Sequence, residues 1–389
     1  MSGGVDSCVA AALLKEQGYD VVGITMQLWN HGEEGEKRFD SCCSLTDVHD
    51  ARQAAHALGI PHYVVNYERE FKAGVVDYFA AEYANGRTPN PCVMCNSKLK
   101  FDHLVDRAIG LGAEWVATGH YARVVHHGES RASELFTGQD PSKDQSYFLF
   151  DMQPENLRRA MFPLGELTKV QVRDIAARLG LATAQKHESQ EICFVTGGRY
   201  SDFLEKHYPE VTTGRGGPIV DRSGRVLGQH EGIHLFTVGQ RKGLGAISTA
   251  PKYVAAIDAT TNTVVVDDLE NLAVAGFSVA GVNWLVERST LTPDRVLNVM
   301  VRYRAKTVPC RVVEGLNGVW HVLLAEKARW VTPGQGAVFY DKDQVIGGGF
   351  IANIATNSAV GAHAQQASTA QASGLQQAVG QSSADFHAP

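Results

Sequence analysis

The sequence predicts an α/β fold in three parts: an N-terminal domain with a parallel sheet, a small central domain and a C-terminal β-barrel. Three observations carry this expectation. Over roughly the first 190 residues, short β-rich runs alternate with helical patterns, the signature of a parallel sheet covered by helices. After Gly197 glycine becomes frequent and the segments shorten. From about Tyr253 short strand-like runs recur between turns, the rhythm of a small barrel. The expected boundaries are 1–197, 198–262 and 263–355, followed by a tail at 356–389.

The first strands are expected at Val21–Met26, Tyr63–Asn66 and Trp115–Thr118. A helix follows Thr46, carries Val48, Ala51, Ala55 and Leu58 at helical spacing, and closes at Gly59. A second runs from Phe101 to Leu111 and closes at Gly112. A third follows Thr168 and closes at Gly180. The later strands are expected at Tyr253–Asp258, Thr263–Val266, Val296–Tyr303, Cys310–Val313, Trp320–Leu324 and Ala337–Tyr340. The 356–389 tail is mostly Ala, Gln, Ser and Gly, too poor in apolar surface to offset its ordering entropy, and reads as disordered.

The chain has 389 residues, 44% apolar and 20% charged, the composition of an ordinary globular protein. No stretch approaches the ~18 apolar residues of a membrane span, and no basic-then-apolar leader is present. Lys and Arg total 36 against 42 Asp and Glu, a net charge of −6. That average argues against wholesale polyanion binding but leaves room for a local basic face. One such cluster exists: Arg295, Arg302, Arg304, Lys306 and Arg311 occur with no acidic residue among them. Arg302, Arg304 and Lys306 alternate with Val301, Tyr303 and Ala305, which on a strand puts the cations on one face. It reads either as a solvated face or as a phosphate contact. Seven cysteines, an odd count without a leader, point to reduced thiols and a cytoplasmic location.

The chain opens with Ser2-Gly3-Gly4-Val5-Asp6-Ser7 directly before an amphipathic helix. Two glycines permit a tight turn, and the loop delivers backbone N–H groups at a helix N-terminus, an anion site. Asp6 is placed to hold a metal bridging phosphates. No Gly-Lys-Ser/Thr follows, so this is not a Walker loop. The segment Thr88-Pro89-Asn90-Pro91-Cys92-Val93-Met94-Cys95-Asn96 leaves three readings open: half a zinc site, a redox dithiol, or a nucleophile with an auxiliary thiol. Cys42 and Cys43 are adjacent, a poor complement for zinc. Cys193 lies in Ile192-Cys193-Phe194 and reads as a core thiol or as a partner of the 92–95 loop.

The opening hexamer resembles the PP-loop, the pyrophosphate-binding signature of the ATP pyrophosphatase superfamily. Those enzymes adenylate a substrate oxygen and then displace AMP with a nucleophile. Their fold is the adenine nucleotide alpha hydrolase-like one, with a strand just before the loop. Here Met1 stands where that strand would end, so the sheet is expected to lack its first strand. Further strings follow in order: Thr88–Asn96, Ala117–Tyr121, Lys143–Phe148, Ile192–Phe194, Gly239–Gly245, Arg302–Arg304 and Thr332–Gln335. Together they resemble the tRNA-specific 2-thiouridylase family over residues 1 to about 355.

That resemblance implies a tRNA-uridine 2-sulfurtransferase. It implies Cys95 as nucleophile and Cys193 as persulfide carrier, joined after turnover in a disulfide that must be reduced. It assigns ATP to Met1, Ser2, Gly3, Gly4, Val5, Asp6, Ser7, Met26 and Gly119, with Mg²⁺ accompanying ATP and no structural metal. It assigns the target base to Asn90, Pro91 and Cys92, and tRNA contacts to His120, Lys143, Asp144, Gln145, Arg302, Tyr303 and Gln335. The implied partners are wobble-uridine tRNAs for Lys, Glu and Gln and a persulfide donor, either a cysteine desulfurase or a relay carrier, with no membrane. Two other classes compete: a PP-loop ligase acting on a small molecule, and a zinc or RNA-binding module built on Cys42, Cys43, Cys92 and Cys95.

Overall fold

The computed structural model describes residues 1–29, 45–128, 132–186, 192–195 and 198–354. Cys42, Cys43, residues 189–191 and the tail expected to be disordered lie outside the described residues.

The glycine loop leads straight into the helix Val5–Glu16. Its inner face, Val5, Cys8 and Val9, packs against Ala54 of the helix Leu45–Leu58 and against Val172 and Ala176 of the helix Lys169–Arg178. The expected punctuation holds. Gly59, Gly112 and Gly180 each take positive φ at a helix end, where a side chain would be strained. Thr168 caps the third helix in a capping box with Gln171. The strand Gly23–Gln27 pairs in parallel with His62–Asn66, and Val116–Ala117 pairs in parallel with Ala160–Met161. The helix expected at Phe101–Leu111 is the second half of a longer helical stretch, 91–110, whose first turn carries Cys92 and whose middle, Cys95–His103, is π-helical.

The central domain is a four-stranded sheet in the order Val226–His230, Gly217–Asp221, Thr263–Asp267, Tyr253–Asp258. The rhythm of short strands predicts a barrel from residue 263. Instead Thr263–Asp267 pairs in parallel with Gly217–Asp221 and buries Val264 and Val266 with Ile219 and Val254. The barrel begins at Val274. Six antiparallel strands form it: Val274–Trp284, Trp320–Ala328, Val308–Glu314, Leu297–Met300, Gly336–Asp341 and Gln344–Ile354. Pairing of the first with the last, from Phe277↔Ile354 to Trp284↔Gly347, closes the ring. Alternation fills it: Val308, Cys310 and Val312 point inward, while Pro309 and Arg311 are exposed.

A hairpin of the N-terminal domain, Ala122–Val125 with Glu134–Thr137, adds to the outside of this barrel through Leu135↔Val345 and Phe136↔Gln344. One core therefore runs through both domains, joining Val93, Phe101, Tyr147 and Phe150 to Val338, Tyr340 and Val345. Among the described residues no helix is long and apolar enough to cross a membrane.

Candidate active site

The loop is held by its own serines. The Ser2 N–H donates to Ser7 Oγ at 3.0 Å, and Ser7 Oγ donates to the Gly4 carbonyl at 3.2 Å. Gly3 has φ +70°, and a Cβ there would lie 2.2 Å from the Asp47 carbonyl oxygen. Gly4 caps the helix Val5–Glu16 without a side chain. The first-turn N–H groups are thereby left for an acceptor from outside the helix. The chain start packs on the strand Gly23–Gln27: the Met1 amino group donates to the Ile24 carbonyl, and Thr25 Oγ1 donates to the Met1 carbonyl at 2.6 Å. Gly119 crosses behind the loop, where a Cβ would meet the Asp6 carbonyl carbon at 2.7 Å and the Ser7 nitrogen at 2.8 Å. Its missing side chain thus makes room for the loop backbone.

Two lysines that no local motif signals fix the loop's charges. Lys169 Nζ donates to both carboxylate oxygens of Asp6 at 2.8 Å, and Tyr121 OH donates to the same carboxylate at 2.7 Å. Lys186 Nζ bonds the Gly3 carbonyl at 3.1 Å, Asp47 at 2.7 Å and Asp50. Burial alone would lower the Lys186 pKa, but the two aspartates outweigh it and hold the pKa above the ordinary lysine value.

The cysteines come from two other segments. Pro91 occupies the first helical position, where its missing N–H costs nothing. Cys92 is exposed, and Cys95 is half-buried at the start of the π-helical segment. Local widening of this kind recurs at functional sites. Cys193 is anchored by its neighbour Phe194, which is 2% exposed and packs edge-on against Phe79 at 5.2 Å and Phe71 at 5.7 Å. Met26, Cys95 and Cys193 all pack against this one aromatic core. Sequence separates these three residues by up to 167 positions; the fold sets all three against the same core.

Residues 143–145 and 302–304 also meet. Tyr303 OH donates to the Asp144 carbonyl at 3.1 Å, the Arg304 guanidinium donates to the Ser142 carbonyl at 3.0 Å, and the Tyr303 ring packs on Phe148 at 4.3 Å. Arg302, Arg304 and Lys306 are exposed. The expected strand ends at Met300, however, and these cations sit in a turn where Arg304 has φ +61°. Left-handed backbone cannot continue a strand, so the alternation in exposure comes from the turn.

The three domain-scale family models that match are described as tRNA methyl transferase HUP domain (residues 1–197), tRNA methyl transferase PRC-barrel domain (201–268) and aminomethyltransferase beta-barrel domain (274–351). The tRNA-specific 2-thiouridylase MnmA of Geobacter metallireducens is 49% identical over 358 residues, covering 90% of this chain and 95% of that protein. That of Geotalea uraniireducens is 48% identical, covering 92% and 96%. The chain belongs to the tRNA-specific 2-thiouridylase family. The one from Magnetococcus marinus is 48% identical, covering 90% and 97%.

Within this 2-thiouridylase, several residues expected at the tRNA are engaged inside the protein. His120 is 8% exposed, sits between Phe101 and Phe162, and shares a 2.7 Å hydrogen bond with Thr118. Asp144 accepts from the Gly138 N–H, the Ser146 N–H and Ser146 Oγ, and burial raises its pKa. Gln145 Oε1 accepts from the Tyr121 N–H at 3.1 Å. Among the described residues no group of three or more His, Cys, Asp or Glu is placed to hold a metal.

Burial drives the His120 pKa well below 6.5. The folded state therefore favours the neutral ring, and its contribution is present above the unfolded pKa and lost as pH falls below it. Unfolding free energy is expected to drop by up to about 1.4 kcal/mol per pH unit below pH 6.5 from this group. Denaturant titrations between pH 7 and 5 should show a shallower slope for His120→Gln; parallel slopes would refute the assignment.

Proposed function

We propose that this chain thiolates C2 of the tRNA wobble uridine, using ATP to activate the C2 oxygen and a cysteine persulfide as the sulfur source. The observation that carries this reading is that Met26, from the strand on which the chain start packs, and both Cys95 and Cys193 pack against one aromatic core. An ATP ligase acting on a small molecule needs neither thiol.

The glycine loop, Met1 to Ser7, cradles the ATP phosphates, with Met26 and Gly119 closing the site. The side chain that Gly3 lacks and the uncapped helix start fit an anion held by backbone N–H groups. Bound with the nucleotide, Mg²⁺ would supply neutralisation of phosphate charge. Asp6, the acidic residue of the loop, would hold it, its carboxylate oriented by Lys169 and Tyr121. Asn90, Pro91 and Cys92 receive the flipped base, because C2 must leave the anticodon stack to meet both AMP and sulfur. The exposed Arg302 and the adjoining Lys143 supply phosphate contacts.

In the chemical sequence, the uridine C2 oxygen attacks the α-phosphorus and pyrophosphate leaves. The terminal sulfur of the Cys193 persulfide then bonds C2, and AMP departs with the oxygen. Cys95 breaks the S–S bond, either after this attack or before it by freeing sulfide. Either way a Cys95–Cys193 disulfide remains, and a thiol reductant returns both cysteines. The persulfide comes from a cysteine desulfurase or relay protein, and the location is cytoplasmic, where tRNAs for Lys, Glu and Gln are available.

Incubation with ATP, a persulfide donor and unmodified tRNA tests the reading. Nucleoside mass spectrometry should find 2-thiouridine at the wobble position, with one AMP formed per sulfur. ATP cleavage without sulfur in the tRNA would overturn it. Metal analysis adds a second arm: about one tightly bound zinc per chain would favour the zinc module instead.

A further inference from the structure

The segment that delivers the cysteine helix is clasped from both other domains. On the barrel side, Gln335 Nε2 donates to the Thr88 carbonyl at 2.9 Å and to the Pro89 carbonyl at 3.2 Å. The Thr88 N–H donates back to the Pro333 carbonyl at 2.9 Å. Gly334, with φ +91°, lies flat against Thr88: a Cβ there would approach the Thr88 carbonyl oxygen to 2.8 Å. On the central-domain side, Thr88 Oγ1 donates to Thr237 Oγ1 at 3.2 Å. Next door, Tyr147 OH donates to the Gly336 carbonyl at 3.0 Å and also bonds Asn90.

These contacts fall on the two residues before Asn90, and Pro91 starts the helix. Cys92 lies in its first turn and Cys95 one turn from Pro91. A helix that begins at a proline has its entry direction set by the residues just before it. Two carbonyls held by one side-chain amide fix that direction. We propose that Gln335 is a positioning residue: by holding the Thr88 and Pro89 carbonyls, the barrel sets the placement of Cys92 and Cys95 for sulfur transfer. This rests on the thiolation reading above. It differs from the resemblance, which places Gln335 on the tRNA, and it predicts a different kinetic signature.

The test uses full-length Gln335→Met, which keeps the volume and loses the amide, with Thr237→Val as an independent cut on the central-domain side. Thermal melting confirms folding, filter binding reads tRNA affinity, and saturating-substrate assays read kcat. For Q335M, kcat for 2-thiouridine formation should fall at least about tenfold, because misplaced reacting groups lose rate more than binding. Its tRNA Kd should stay within about twofold of wild type, since the amide is engaged inside the protein. Thr237→Val should lower kcat in the same direction by about threefold, as loss of one part-buried hydrogen bond allows. Unchanged kcat in both variants overturns the proposal. So does a weakened tRNA Kd with kcat intact, which is the result expected of a direct tRNA contact. Absence of 2-thiouridine with wild-type protein would instead refute the thiolation reading itself.

Discussion

Replacing Cys193 by serine is expected to abolish thiolation, and replacing Cys95 by serine to do nearly the same. The two variants should fail at different steps. A serine hydroxyl cannot hold sulfane sulfur, so Cys193→Ser never loads. Cys95→Ser should load Cys193 and then stall, because the thiol that breaks the S–S bond is gone. Rates should fall by at least about 10³-fold for each, the scale on which loss of a nucleophile is felt. Intact-mass measurement after donor treatment separates them: Cys95→Ser should retain one additional sulfur atom and Cys193→Ser none. Both sites tolerate the change structurally, since Cys95 and Cys193 are only half-buried and pack at the edge of the aromatic core. Wild-type turnover in both variants would remove the mechanism. The buried Cys310 is a contrast: burial inside the barrel raises its pKa to about 12, which makes its thiol a poor nucleophile near neutral pH.

Gly119→Ala should be the most damaging single change at the nucleotide loop. The new methyl group would sit 2.7 Å from the Asp6 carbonyl carbon and 2.8 Å from the Ser7 nitrogen. Both are backbone atoms, so no rotamer relieves the contact, and the loop itself must move. A displacement approaching an ångström at groups that position a reacting phosphate costs about 10²-fold in rate. The overpacking should also cost about 1–3 kcal/mol of stability. Pyrophosphate release assays at varied ATP should show the loss, and tRNA binding should be spared. Normal ATP kinetics would show that the loop does not depend on this close approach.

Local punctuation in the sequence translates directly into structure. Gly59, Gly112 and Gly180 end helices because each needs only its own φ, and Thr168 caps its helix because Gln171 is three residues away. The glycine loop is legible for the same reason. What escapes is non-local. The hairpin Ala122–Val125 with Glu134–Thr137 is two four-residue strands, and nothing in them says that they dock on a barrel strand 210 residues away. Nothing beside Lys169 or Lys186 in the sequence signals the aspartates they meet in the fold, Asp6 and Asp47. The strand Thr263–Asp267 has the same alternation whichever sheet it joins, so only its register with Gly217–Asp221 places it. At the cysteines, sequence offers the residues and their competing chemistries, and the resemblance selects among them. That Cys95 and Cys193 share one core is visible only in the fold.

Oxygen tracing gives the most direct measurement. A tRNA substrate carrying ¹⁸O at C2 of the wobble uridine would be turned over with unlabelled ATP and a persulfide donor, and the AMP analysed by mass spectrometry. Adenylation of the C2 oxygen followed by sulfur displacement predicts one ¹⁸O atom in AMP for every 2-thiouridine formed. Label remaining in the tRNA, released to water or found in pyrophosphate, with AMP unlabelled, would contradict it.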